Sequence, residues 1–199
     1  MSEELAEHSH GRPSPILIVF LLFPLLGIVA AVVLALSESS APPAPATPLP
    51  VTAAAPSLID QPAPNFALNG LDGTEFRLSS YRGRIVFLNF WATWCEPCVR
   101  ELPVFQQFSV AQAEARQAVI LAVNVGEQPD RISPYLDERG IDALSVLLDD
   151  DLELYGAYGI EVMPTTYVID AAGVIRFKHL GEMTAEDLAA YLAEVSSQS

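Results

Sequence analysis

The apolar positions of this chain fall into two regimes. From Ile16 to Leu36, 21 consecutive positions carry no charged side chain. As a helix rising about 1.5 Å per residue they would reach about 31 Å, the thickness of a bilayer core. Pro24 and Gly27 lie inside this block; they would weaken a soluble helix, but a transmembrane helix tolerates them because local adjustments re-satisfy the backbone. The competing reading is a cleavable signal peptide, whose apolar stretch runs only about 7 to 15 residues before a small-x-small site. Ala35-Leu36-Ser37 is a poor site of that kind, so length favours a retained anchor. Arg12 is the only cationic side chain before the block, and none follows until Arg77. Because Lys and Arg mark the cytoplasmic side, the pattern predicts residues 1–15 as a short cytoplasmic N-terminus, 16–36 as a transmembrane anchor, and the remainder outside.

Residues 37–57 are rich in Ala and Pro (Ala41-Pro42-Pro43-Ala44-Pro45-Ala46-Thr47-Pro48). They lack the large apolar groups that pack a core and favour extended, polyproline-type backbone, so they read as a semi-rigid linker. The second regime spans residues 58–199. Phe66-Ala67-Leu68 and Glu75-Phe76-Arg77-Leu78 flank the turn signal Asp72-Gly73, which predicts a short antiparallel β-hairpin at the start of the domain. Ile85–Phe90 and Val119–Val125 are apolar runs broken only by Asn89 and Asn124, with the length and branching of buried parallel strands. Helical patterns cover 96–115 and 129–139, the latter ending at Gly140. Thr166–Asp170 and Val174–Lys178 flank Ala171-Ala172-Gly173 as a second hairpin, and 184–195 opens on a capping Thr184 with apolar positions at helical spacing. The predicted order is hairpin, β-α-β-α-β, hairpin, terminal helix: one α/β domain with a central mixed sheet flanked by helices.

Charge and cysteine content narrow the chemistry. The formal net charge is −15, and from residue 58 onward 9 Lys or Arg face 21 Asp or Glu. Such a surface repels phosphate backbones, so nucleic acid is not an expected partner. The acidic run Asp149-Asp150-Asp151 reads as a solvated loop and helix cap, not a metal site. The chain has two cysteines, Cys95 and Cys98, too few for a secreted disulfide scaffold.

Trp94-Cys95-Glu96-Pro97-Cys98 directly follows an apolar strand and opens a helix. Two intervening residues let the sulfurs meet across one turn, and the helix N-terminus offers free amides and positive potential. That field stabilises a thiolate at Cys95, expected to be the more exposed sulfur and the attacker, with Cys98 buried and resolving. Pro97 suits the first turn, where a missing amide hydrogen is harmless. Zinc wants about four ligands, and beyond this pair the domain offers only His179. A structural disulfide this local would close almost no loop. The spacing therefore points to redox chemistry, with no cofactor and no metal expected.

The segment Phe90-Trp91-Ala92-Thr93-Trp94-Cys95-Glu96-Pro97-Cys98-Val99-Arg100-Glu101-Leu102-Pro103 resembles the active-site stretch of the TlpA/ResA branch of membrane-tethered thioredoxin-like proteins. Ala63-Pro64-Asn65-Phe66, Asp72-Gly73, Tyr155-Gly156 and Val162-Met163-Pro164-Thr165-Thr166 extend the likeness across 58–195. The resemblance implies a thioredoxin-like fold and a thiol-disulfide oxidoreductase on the outer side of a bacterial cytoplasmic membrane. It implies a cis Pro164 packed against the redox pair, which would leave the backbone of Met163 free to pair with an extended client segment. It also implies a role for Glu101, which matches a glutamate carried near the disulfide by ResA-like members. Carboxylates at Glu96 and Glu101 would oppose the helix field and raise the pKa of Cys95, although a first-turn carboxylate such as Glu96 is favourable simply as a helix-end charge. Asn89 replaces the buried aspartate of ordinary thioredoxins, which favours Glu101 as the proton partner. Trp91 and Trp94 are expected to pack around the motif and shape the docking surface.

The family's usual clients are disulfide-containing proteins, namely apocytochrome c haem-attachment cysteines or copper-site cysteines of oxidase subunits. Electrons would come from a membrane thiol carrier of the CcdA/DsbD type, since the chain has no nucleotide or flavin motif. Two other readings compete with this reductase. A thiol peroxidase of the peroxiredoxin type needs a Pro-x-x-x-Thr/Ser-x-x-Cys pattern, but Leu88 and Ala92 occupy those places. A copper-binding assembly module would use the cysteines as soft ligands, with few further ligands beyond Met163 and His179.

Overall fold

The computed structural model describes residues 57–198. The predicted cytoplasmic N-terminus, the anchor and nearly all of the linker lie outside them. Among the described residues no helix is long and apolar enough to cross a membrane.

Strands β1 (Ala67–Asn69) and β2 (Glu75–Arg77) pair antiparallel, Leu68 opposite Phe76. Gly73 makes this turn possible: its φ of +81° is a conformation in which a side chain is strained. The Asp72 carboxylate stiffens the turn by accepting from the Thr74 amide at 2.9 Å. A short 3-10 turn (Leu78–Tyr81), not anticipated from the pattern, then leads into the main sheet.

That sheet has the order β5-β4-β3-β6-β7. Its strands are β3 (Ile85–Trp91), β4 (Ala118–Val125), β5 (Ser145–Asp149), β6 (Thr165–Ile169) and β7 (Ile175–Leu180). β3, β4 and β5 run parallel, whereas β6 and β7 are antiparallel to their neighbours. Helices α1 (Glu96–Ala115), α2 (Pro129–Asp137), α3 (Glu153–Ala157) and α4 (Ala185–Ser197) complete the domain. The sequence pattern named no residues for β5 and did not include α3.

β3 is the centre, and every one of its residues is buried. Because side chains alternate across a strand, Ile85, Phe87 and Trp91 face the layer of α1, α2 and α4, while Val86, Leu88 and Phe90 face the other side with Leu154 of α3. On α1 the buried stripe is Cys98, Glu101, Leu102 and Phe105, which brings one turn of helix containing a cysteine and a carboxyl onto the sheet. The left-handed Arg116 ends α1, its amide donating to the Gln112 carbonyl. At the start of α4 the Thr184 side chain and Asp187 cap each other reciprocally.

In the acidic run Asp150 and Asp151 are exposed as expected, but Asp149 is buried and supplies the expected helix cap. Its carboxylate is fully buried and accepts from the amides of Leu154 and Tyr155 at 3.1 and 2.8 Å, capping α3. Burial raises its pKa, opposed by those two bonds.

The fold makes a stability prediction. Phe105 is fully buried between the sheet and α4, so Phe105→Ala is expected to cost about 3 to 5 kcal/mol. Val110 on the same helix is 59% exposed, so Val110→Ala is expected to stay within about 0.5 kcal/mol. Urea midpoints of the two variants check both values.

Candidate redox site

β3 ends at Trp91 in the middle of the sheet, and the chain leaves it through Ala92-Thr93-Trp94. The Cys95 amide donates back to the Ala92 carbonyl at 3.2 Å, turning the chain so that Cys95 caps α1. The Val99 amide donates to the Cys95 carbonyl at 3.1 Å and starts the helix. Glu96 and Pro97 occupy the first turn, and Cys98 one turn in is joined to Cys95 by a disulfide, with 5.2 Å between their Cα atoms.

Cys98 is fully buried, but Cys95 retains only 6% of its surface. It is the more accessible sulfur, though far less exposed than the motif alone suggests. Both pack in one cluster with Trp91, Ala92, Leu102 and Ala122. The two tryptophans differ: Trp91 is core, whereas Trp94 is 63% exposed and stands beside Cys95 in solvent. Trp94 therefore does not pack into the motif as expected, because the turn that delivers Cys95 to the helix points the preceding side chain outward, to the surface where a docking role was expected of it.

The Met163–Pro164 peptide is cis. Pro164 is buried, and its carbonyl accepts from the Gly181 amide at 2.8 Å. The Met163 side chain packs against the cluster that holds both cysteines. Its backbone N–H and C=O make no hydrogen bond among the described residues.

Glu101 lies three residues after Cys98, on the same face of α1. Its carboxyl is fully buried and accepts from the Asn89 side chain at 2.8 Å and from the Met183 amide at 2.9 Å. Burial pushes its pKa up to about 8, opposed by those two bonds and reinforced by the charge of Glu182. Asn89 donates a second bond to Thr166, its register partner on β6, at 3.0 Å. Asn89 thus ties Glu101 to the strand that follows the cis peptide. Glu96 behaves differently: its side chain is solvent-exposed and meets Arg100 at 3.3 Å. Arg100 also pairs with Glu182 at 2.8 Å.

A second polar group lies at the same edge of the sheet and was missed in the sequence. Glu127, just past β4, is buried; its two oxygens accept from the Thr93 amide and hydroxyl, each at 2.6 Å, from Asn124 at 2.9 Å and from Arg131 at 2.8 Å. Burial pushes its pKa up, but the bonds from Thr93, Asn124 and Arg131 outweigh this and hold it below the ordinary range. The available signal was Asn124 itself: a polar side chain in an otherwise apolar buried strand must find a partner.

His179 lies with its Nδ1 3.2 Å from the Tyr191 hydroxyl. Among the described residues no group of three His, Cys, Asp or Glu side chains is placed to hold a metal ion. A disulfide at a helix N-terminus, with a buried carboxyl that titrates near neutrality one turn away, is suited to exchanging two electrons and two protons with another dithiol.

Known proteins match this arrangement. Residues 59–178 match the AhpC/TSA family. The chain is 39% identical over 134 residues to the thiol-disulfide oxidoreductase ResA of Geobacillus thermodenitrificans, covering 67% of this chain and 75% of that protein. A thiol:disulfide interchange protein of the thioredoxin family from Chlorobium tepidum superposes with a TM-score of 0.62 at 29% identity, over 71% of this chain and 99% of the other. StoA from Bacillus subtilis superposes with a TM-score of 0.57 at 28% identity, over 64% and 96% respectively. The chain therefore belongs to the AhpC/TSA family, and within it to the ResA-type thiol-disulfide oxidoreductases of thioredoxin-like fold.

Proposed function

We propose that the chain is a reductant of protein disulfides, held by residues 16–36 on the outer face of a bacterial cytoplasmic membrane. The observation that carries this reading is the buried Glu101, one turn from Cys98 and titrating at about 8. In the reduced protein the Cys95 thiolate attacks one sulfur of a client disulfide, forming a mixed disulfide and releasing the client's other sulfur as a thiolate. Cys98, once deprotonated, attacks the Cys95 sulfur; the Cys95–Cys98 bond closes and the second client thiolate leaves. Two electrons pass to the client, and two protons follow. A carboxyl with a pKa near 8 is matched to exchanging protons with a thiol near neutral pH, and Glu101 in its ionised form takes the Cys98 proton. When ionised, Glu101 also disfavours a neighbouring thiolate, which makes the dithiol the stronger electron donor.

Around this centre Pro97 shapes the first turn, Glu96 acts as a helix-end charge, Pro164 closes the site, and Trp94 and the Met163 backbone receive the client chain. Clients with cysteines that must stay reduced outside the cell, those of haem attachment in apocytochrome c or of copper sites, fit this role, and a membrane thiol carrier of the CcdA/DsbD type supplies the electrons. The peroxidase pattern is absent at Leu88 and Ala92, both buried in the core.

Equilibration with dithiothreitol buffers, with thiol trapping, reads the potential of the Cys95/Cys98 couple. A value of roughly −270 mV or lower is expected; a value near −120 mV would make the protein a disulfide donor instead. Glu101 also predicts the pH dependence of stability. Its pKa rises from an ordinary 4.5 to about 8 on folding, so between those values the folded state binds more protons than the unfolded state. Stability is then full below about pH 4.5 and falls as pH rises toward 8, by up to about 1.4 kcal/mol per pH unit. Urea unfolding of the oxidised protein should show this slope, and Glu101→Gln should flatten it; an equal slope in both proteins would remove Glu101 from the titration.

A further inference from the structure

Glu127 is a buried carboxylate to which the proposed mechanism gives no part. Its neighbours come from three elements that meet beside the disulfide. Thr93, two residues before Cys95, gives it both its amide and its hydroxyl. Asn124, the register partner of Trp91 at the end of β4, gives its side-chain amide. Arg131, in the first turns of α2, gives its guanidinium, whose Nε also reaches the Thr93 hydroxyl at 3.1 Å. One carboxylate thus fastens the turn between β3 and α1 to the neighbouring strand and helix. The turn is short: Trp91 is anchored in the sheet, Cys95 caps the helix, and only Ala92, Thr93 and Trp94 lie between. Fixing Thr93 therefore fixes the path that delivers both Trp94 and Cys95.

We propose that Glu127 is a positioning residue of the redox centre, acting through Thr93 to hold Cys95 where it closes onto Cys98, and so favouring the disulfide over the dithiol. Two effects act in the same direction. The fastened turn keeps Cys95 at the helix N-terminus, within bonding reach of Cys98, which lowers the cost of closing the disulfide. The buried negative charge opposes a Cys95 thiolate, which weakens the reduced form. Charge-assisted bonds to a carboxylate, here one whose own side chain is buried, are about twice as strong as neutral ones, so the clamp has the strength to bias a local equilibrium. This inference rests on the Cys95/Cys98 couple being redox-active and adds a residue that sets where its equilibrium lies.

The test compares the full-length protein with Glu127→Gln, Thr93→Val and the double variant, each equilibrated with dithiothreitol, with urea unfolding of the oxidised forms measured alongside. Glu127→Gln is expected to shift the equilibrium toward the dithiol at least tenfold, equivalent to about 30 mV for a two-electron couple. Thr93→Val, which removes the hydroxyl's bonds to Glu127 and Arg131 but keeps the backbone amide's bond, should shift it in the same direction by less. Because Glu127 acts through Thr93, the double variant should shift little beyond Glu127→Gln alone. Equilibria within twofold of the wild type, even with a lowered urea midpoint, would make Glu127 a strut with no hold on the redox pair and overturn the proposal. Single shifts that multiply in the double variant would overturn the route through Thr93, and a shift toward the disulfide would overturn the direction. If Glu127→Gln does not fold, Thr93→Val decides by the same criterion. A wild-type protein that fails to exchange with dithiothreitol would overturn the redox reading itself, an outcome separate from an active wild type with unmoved variants.

Discussion

The structure depends on the burial of β3 from both sides. A strand with no solvent-facing residue can leave the sheet only at its end, and there the chain must satisfy its backbone and start a helix within a few residues. Cys95 sits at that junction as the cap of α1. Its sulfur meets free helix amides and the positive end of the helix dipole because of where β3 stops. The same constraint directs the polar groups of the site. Asn89 and Asn124 lie on buried strands facing α1 and α2, so each has to be met by a group from the helical layer or a loop; Glu101 meets the first and Glu127 the second.

These two carboxylates are both buried and have opposite pKa directions, and the difference lies in their donors. Glu101 accepts one amide side chain and one backbone amide, with no cation in contact, and the like charge of Glu182 nearby. Desolvation wins, and its proton is retained to about pH 8. Glu127 accepts from a hydroxyl, a backbone amide, an amide side chain and a guanidinium, enough to offset desolvation and keep it ionised. The first can move a proton near neutrality; the second is a fixed charge. One suits proton transfer and the other suits positioning.

Much of this was legible from residue patterns. The two apolar runs became β3 and β4, the helix beginning at Glu96 ends at Ala115 as its periodicity indicated, and Thr184 caps the last helix. Less legible were elements whose signal is tertiary. β5 is a five-residue strand without a distinctive alternation, and α3 is a single turn held by a buried Asp149 that looks, in sequence, like part of a solvated acidic run. At the site, the motif identified Cys95 and Cys98, but not how little of Cys95 remains exposed, since that depends on Trp91, Ala92 and Met163 packing around it. Glu127 was missed because the partner that ties it to the redox turn, Thr93, lies 34 residues away, and the local signal, Asn124 in an apolar strand, marks a buried polar group without naming its partner.

The enclosure of Cys95 bears on which clients the proposed reductase can serve. Disulfide exchange requires the attacking sulfur to approach the target sulfur directly, and a cysteine with 6% of its surface accessible is poorly placed to reach a disulfide recessed in a folded partner. A client disulfide has to come to it on a narrow, extended segment. The unpaired backbone of Met163 beside the pair is suited to such a segment, because an extended chain offers matching amide and carbonyl groups. Exposed Trp94, next to Cys95 in the chain, offers an apolar surface. The same packing thus suits the proposed reductase to a disulfide carried on a polypeptide segment that has not yet folded.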